Sequence, residues 1–169
     1  MDFYEVLKNR RSIRGFDSSR DIPQESLERI MQAVQCAPSA CNRQPWRFEI
    51  IFNKELKAKI GECYPKTWLT EAPAIVVAMA DYSTCWTRLE GTPAAEIDLG
   101  IAMEHLVLAA AAEGLGTCWI CAFEKAKMNE VMQVSTPWSV EAITPLGYAN
   151  SEPRNLNYKS IDEIFKVVK

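Results

Sequence analysis

Cys36-Ala-Pro-Ser-Ala-Cys-Asn-Arg-Gln-Pro-Trp-Arg-Phe48 separates a helical pattern from a strand pattern and fixes how the chain is read on both sides. Pro38 and Pro45 lack a backbone N–H and restrict the residue before them, so neither a helix nor a ladder runs through. Between them Ser39, Asn42 and Gln44 supply one hydroxyl and two amides, groups that both donate and accept hydrogen bonds. A segment that only had to turn could be shorter and made of Gly and Asp. This one reads equally as a polar surface turn or as a loop that presents neutral polar groups to a planar ligand edge.

Upstream, Pro23 suits the first turn of a helix, and Leu27, Ile30, Met31 and Val34 form an apolar stripe at 3.6-residue spacing. Further back, Asp2 to Asn9 is a short helix with Phe3, Val6 and Leu7 on one face. Arg10-Arg-Ser-Ile-Arg-Gly-Phe16 follows, with three arginines and a serine in five residues. Guanidinium forks match phosphate oxygens, so this is an anion site in composition; its bland reading is a solvated basic patch. In an extended chain Arg10, Ser12 and Arg14 share one face, Arg11 and Ile13 the other.

Downstream, Trp46-Arg-Phe-Glu-Ile-Ile-Phe52 reads as a strand and Lys54 to Cys63 as a lysine-rich surface helix. Tyr64 to Pro73 shows no regular pattern. Pro73-Ala-Ile-Val-Val-Ala-Met-Ala80 is apolar without alternation, as a strand buried on both faces is. Asp81 to Pro93 reads as a mobile loop able to cover a substrate. Ala94 to Glu113 is the longest helix, apolar around most of its circumference and so central or at a subunit interface. Its His105 is expected to be a buried, hydrogen-bonded histidine, and Asp98 and Glu104 to cap, pair or solvate. Gly114-Leu-Gly116 ends it. A strand at Thr117 to Ala122, a helix at Glu124 to Val134 and a strand at Ser139 to Ala149 follow, with Pro145 marking an interruption or an edge position. The tail from Ser151 carries Glu152-Pro-Arg154 and a short amphipathic piece around Ile161, Ile164 and Phe165. Strands and helices interleave irregularly, so the fold class is α+β with one central sheet.

The 169 residues make one domain, 1–169, with 48% hydrophobic and 24% charged residues. A net charge of −3 leaves no general nucleic-acid footprint. Glu104, His105 and Glu113 interrupt the longest apolar stretches, against a membrane span. The start Met1-Asp-Phe-Tyr-Glu-Val has no secretory pattern, and the expectation is a cytoplasmic protein. Six cysteines in such a chain are expected to be free thiols. Cys118-Trp-Ile-Cys121 has the spacing of a thiol–disulfide motif, but in a strand its cysteines point to opposite faces, which disfavours a joint redox or metal role. No second pair completes a zinc site.

Four segments in order, Arg10 to Phe16, Ala37 to Phe48, Gly114-Leu-Gly-Thr-Cys-Trp119 and Pro145-Leu-Gly-Tyr-Ala149, resemble the nitroreductase family of FMN-dependent oxidoreductases in one of its compact forms. The resemblance implies a central mixed or antiparallel sheet flanked by helices, in an intertwined homodimer with FMN at the subunit interface. It implies that Arg10, Arg11, Ser12 and Arg14 hold the phosphate and the pyrimidine edge, with Arg154 assisting at the phosphate. Asn42 and Gln44 meet the flavin and ribityl chain, and Pro38, Ser39 and Ala40 are offered from the partner. Trp119, Ile120, Cys121 and Ala122 lie beside the isoalloxazine, a backbone N–H near Cys121 meeting N5. Ala122 stands where relatives often carry Gly, and His105 where many carry another polar residue.

The implied activity is ping-pong hydride transfer from NAD(P)H through FMN to a nitroaromatic or quinone, with no side-chain acid or base and no metal. Alternatives are a specialised flavin enzyme of the dehalogenase type, a thiol–disulfide oxidoreductase using Cys118 and Cys121, and a non-catalytic FMN carrier.

Overall fold

The computed structural model describes residues 2–169. Its centre is a four-stranded antiparallel sheet in the order β1-β2-β4-β3, made of β1 (Trp46–Ile51), β2 (Ala74–Asp81), β3 (Gly116–Thr117) and β4 (Trp138–Gly147). Every residue of β2 is buried, which explains its unbroken apolar sequence. Helices cover both faces. On one side α2 (Gln24–Gln35) and α5 (Ala95–Ala112) pack on Ala74, Val76 and Leu146. On the other, α3 (Lys54–Cys63), α4 (Thr67–Glu71) and α6 (Lys125–Val131) enclose Ile75, Val77 and Ile143. Each fully buried aliphatic side chain in these layers contributes about 1.5–3 kcal/mol.

The expected central helix is α5. It ends in a Schellman cap, in which Leu115 N–H bonds the Ala110 carbonyl and Gly114 N–H the Ala111 carbonyl, with Gly114 at φ 73°. At its C-cap Glu113 accepts from Arg29 Nη2 at 2.6 Å and Ser26 Oγ at 2.8 Å, which ties α5 to α2. His105 Nδ1 donates to the Ala33 carbonyl at 3.0 Å, a second tie between the same helices; it is hydrogen-bonded as expected but half-buried rather than buried.

Several expectations are corrected. Tyr64 to Pro73 is not irregular: it contains α4, whose last carbonyls are capped by the buried Lys57 ammonium, 3.1 Å from the Pro73 oxygen and closest to that of Ala72. Hence α3, though lysine-rich, is not purely a surface helix. The helix after Phe123 stops at Val131, because Gln133 takes a left-handed φ of 54°. Met31, Phe3 and Leu7 lie largely exposed while their stripe partners Leu27, Ile30, Val34 and Val6 are buried. Asp81 to Pro93 has local structure of its own: Asp81 accepts from Ser83 and Thr84, Cys85 is buried, and Thr87 bridges Pro93 across an exposed stretch with Leu89.

The largest correction concerns β3. It is two residues long, not six. Pro145 lies on β4, an interior strand, so the edge position is excluded and the interruption falls on its neighbour. Pro145 has no N–H for the Cys118 carbonyl, and the other bond of the pair is bridged by a side chain: Cys118 N–H donates to Thr144 Oγ1 at 2.9 Å, which itself donates to the Pro145 carbonyl at 2.9 Å. Pairing resumes only as an isolated bridge of Ile120 with Ile143. Trp119 and Cys121 project outward as a result.

Two outcomes follow for stability. Thr144→Val leaves Cys118 N–H buried without an acceptor and should cost about 1–3 kcal/mol in urea unfolding; a loss under about 0.5 kcal/mol would contradict this role for the hydroxyl. The Arg29 hydrogen bond holds the Glu113 carboxyl below its ordinary value of 4.5, against burial and with help from Ser26. A depressed carboxyl stabilises above that ordinary value, and the benefit is lost as pH falls through the lower folded value. The gap in urea midpoint between wild type and Glu113→Gln should therefore be widest near neutrality and close on acidification. A gap that widened in acid would reverse the assignment.

Candidate functional site

The arginine segment is laid along the end of the sheet. Ser12 bridges Thr117 in parallel, Ile13 N–H donates to the Thr117 carbonyl at 2.8 Å, and Phe16 bridges Ala149. This close approach requires Gly116, because a Cβ there would lie 2.8 Å from Ile13 Cγ1. Arg10, Arg11 and Ile13 line one recess, so the alternation does not set Arg10 apart from Arg11. Burial pushes the Cys118 thiol up against the nearby charges of Arg14 and Arg154 and the influence of Ser12, so it stays protonated near neutrality. Arg11 Nη2 donates to the Arg154 carbonyl and holds the start of the tail beside the segment.

Among the described residues no carboxylate pairs with Arg10, Arg11, Arg14 or Arg154. Arg11 Nε is moreover buried with no hydrogen-bond partner. Four cations left without counter-charges in a chain of net charge −3, one with a buried orphan donor, fit a phosphate-bearing group. A recess of about 210 Å³ opens between Arg10, Arg11, Thr117 and Pro153. From Thr117 to Cys121 the chain spans at most about 13 Å, a length suited to an elongated ligand rather than free phosphate.

At the far end of that span sit Trp119 to Ala122. Cys121 is exposed and its Sγ accepts from Trp119 Nε1 at 3.2 Å, while Cys118 is buried and both thiols are free. The two cysteines thus face different environments, as the sequence predicted. Beneath them is a cluster that the sequence did not disclose. Glu141 is the extra residue of a β-bulge, where Ala78 pairs with Ala142 and Met79 with Val140. Its buried carboxylate meets the Tyr82 hydroxyl at 2.9 Å and the Lys125 ammonium, and Glu96 on α5 shares both partners at 3.1 and 3.2 Å. Burial and the two carboxylates push the Tyr82 phenol far up, so it remains a donor. Burial opposes the Lys125 charge, but its bonds to Glu141 and Glu96 outweigh this and raise it. The cluster joins the start of α5, the start of α6 and the bulge, and thereby fixes the base of the Trp119 segment.

The Ser39–Gln44 loop is strained. Cys41, Asn42 and Gln44 have φ of 52°, 52° and 49°, a region costing of order 1–3 kcal/mol per non-glycine residue outside favoured contexts. Four restraints hold it. Gln44 N–H donates to Ser39 Oγ at 2.9 Å, Gln44 Nε2 to Asn42 Oδ1 at 3.0 Å, Arg43 Nη1 to the Cys85 carbonyl at 2.8 Å, and Ala40 N–H to Asp98 Oδ1 at 3.0 Å. The Asn42–Gln44 bond leaves the Asn42 Nδ2 donor and the Gln44 Oε1 acceptor facing solvent, a complementary pair for a planar heteroaromatic edge. Pro38 is exposed, and Ser39 and Ala40 half-buried, at the start of this loop.

One chain does not bring these halves together. The loop rests on Asp98, whereas the Trp119 ring lies against Gly100, whose added Cβ would sit 3.9 Å from Cη2. Two residues along a helix are about 200° apart around its axis, so the loop and the Trp119 segment lie on opposite sides of α5. Arg10, Arg11, Ser12, Arg14, Arg154 and Trp119 to Ala122 share one side; Pro38 to Gln44 belong to the other.

Comparison with known proteins agrees with the segment order. The sequence profile described as "Nitroreductase family" matches residues 7–68 and 62–148. A Methanothermobacter thermautotrophicus protein provisionally named an NADH dehydrogenase/NAD(P)H nitroreductase is 33% identical over 159 residues, which cover 90% of this chain and 80% of that one. A solved nitroreductase family protein from Clostridium difficile 630 superposes with a TM-score of 0.90 at 27% identity, covering 98% of each chain. A shorter match, 41% identical over 61 residues, joins 36% of this chain to 21% of iodotyrosine deiodinase 1 from Mus musculus. With the fold matched end to end and a family profile spanning most of the sequence, the chain belongs to the nitroreductase family of flavin-dependent oxidoreductases.

Proposed function

We propose that two copies of this chain bind two FMN molecules and catalyse ping-pong electron transfer from NAD(P)H to an organic acceptor, with nitroaromatics and quinones as in vitro acceptors. The observation that carries this reading is the unpaired arginine cluster leading along β3 to the exposed Trp119–Ala122 segment. Arg10, Arg14 and Arg154, with Ser12, neutralise and orient the phosphate, and Arg11 anchors Arg154 among them. The outward-facing backbone at Cys121 and Ala122 approaches the reactive edge of the ring, which the interruption opposite Pro145 makes possible. Bound there, FMN supplies the hydride relay between donor and acceptor. The chain's own residues bind, orient and exclude water.

The second copy is required because Asn42 and Gln44 point away from their own arginine cluster across α5. Exposed apolar side chains support a large interface: Phe3, Leu7 and Ile97 around the helices, and Tyr158, Ile161, Phe165, Val167 and Val168 along the C-terminal tail. These faces suit mutual exchange of tails between protomers. Asn42 and Gln44 of one copy then complete the pocket of the other, with Pro38, Ser39 and Ala40 forming its wall.

Arg14→Ala removes a charge-assisted bond of ~1.5–3 kcal/mol and should weaken FMN about 10- to 150-fold; Asn42→Ala removes a neutral one and should weaken it about 2- to 10-fold. Co-expressed mixed dimers, Arg14→Ala in one chain and Asn42→Ala in the other, should retain one site of wild-type affinity, because both lesions fall in the same pocket. Two weakened sites would instead place Asn42 with its own chain's arginines. Initial rates with NADH or NADPH and a quinone should give parallel double-reciprocal lines; intersecting lines would contradict alternate use of one pocket.

A further inference from the structure

Asp98 is a carboxylate in the most apolar helix of the protein, only 3% exposed. Burying a charge is costly unless it is hydrogen-bonded and paired, yet no cation approaches it among the described residues. Its one recorded side-chain contact is Oδ1 with the Ala40 N–H, at 3.0 Å. Its Oδ2 is buried and has no partner. Asp98 belongs to the first turn of an 18-residue helix, whose unsatisfied N–H groups favour negative charge there. The helix dipole thus offsets part of the burial, while the carboxylate directs its paired oxygen at a backbone amide of the strained loop.

We propose that Asp98 is the positioning residue of the Ser39–Gln44 loop, holding its left-handed backbone in the form that presents Asn42 and Gln44 to the ligand. The placement distinguishes this bond from the loop's other restraints. Ser39 Oγ and the Asn42–Gln44 pair act within the loop, and they would move with it. Arg43 binds the Cys85 and Thr84 carbonyls from an exposed side chain. Among the described residues only the Asp98 side chain joins the loop's first residues to a helix of the core. A buried anchor on α5 fixes where the turn begins, and a turn of short-range bonds then carries that position to Asn42 and Gln44. The second oxygen, shielded and unpaired, keeps the carboxylate free of any competing partner on its own chain.

The inference rests on the loop's role in flavin binding, but its first test does not need the flavin. Amide hydrogen exchange of the flavin-free protein, read on peptides spanning 37–45, should show protection that Asp98→Ala reduces at least tenfold and Asp98→Asn largely restores, since the amide oxygen still accepts from Ala40. FMN titrated by fluorescence should then bind about tenfold more weakly to Asp98→Ala and within threefold of wild type to Asp98→Asn. The urea midpoints of folded variants report whether the effect is local. Faster exchange in Asp98→Ala with unchanged FMN affinity would overturn the positioning role, as would unchanged exchange. Should Asp98→Ala fail to fold, Asp98→Asn alone decides: retained protection and affinity uphold the anchor, and loss of both refutes it. Wild type that takes up no FMN would sink the flavin reading instead, leaving the exchange result to stand by itself.

Discussion

The constraint on which the site depends is the angular separation of two positions within one turn of α5. Asp98 holds the polar loop on one side of the helix, and Gly100 receives the Trp119 ring on the other. A helix interior is rigid at this scale, so no loop movement within one chain can bring Asn42 to Cys121 without dismantling the core between them. The proposed pocket therefore takes Asn42 and Gln44 from a second copy. The same helix is capped by the Schellman turn that leads into β3 and tied to α2 through Glu113, so its C-terminal end is fixed twice over.

The second determinant is the exchange of a ladder hydrogen bond for a side-chain one. Pro145 in an interior strand has no N–H for the carbonyl of its neighbour Cys118. The Thr144 hydroxyl stands in the ladder there, accepting from Cys118 N–H and donating to the Pro145 carbonyl, and regular pairing stops at Thr117 apart from the Ile120–Ile143 bridge. The backbone beyond becomes available to a ligand, while the Glu141–Lys125–Tyr82–Glu96 cluster keeps the released segment from wandering. An open backbone on a fixed base is what a flavin-binding edge needs.

Much of this was legible in the sequence, for identifiable reasons. Unbroken apolarity marked β2, and 3.6-residue spacing marked α2. Gly114-Leu-Gly116 located the end of α5, and the density of arginine from Arg10 to Arg14 marked the cation-rich segment. The misses are equally physical. A strand was read through Thr117 to Ala122 because its side chains suit one, and the interruption comes from a proline on a different strand nearly thirty residues away in the sequence. A bulge such as that at Glu141 has no composition signature. Asp98 was visible as an acid on an apolar helix, but its target, a main-chain amide 58 residues away, was not. Half-exposed Met31 and Leu7 carry the core's spacing without being in this chain's core.

The most direct measurement is the visible absorption spectrum of the purified protein, followed by anaerobic addition of NADH and then NADPH. The account predicts flavin bands, after FMN addition if the protein is isolated without it, that bleach with at least one nucleotide and return when a quinone is added. A protein that stays colourless and takes up no FMN, or that binds flavin which neither nucleotide reduces, would contradict it.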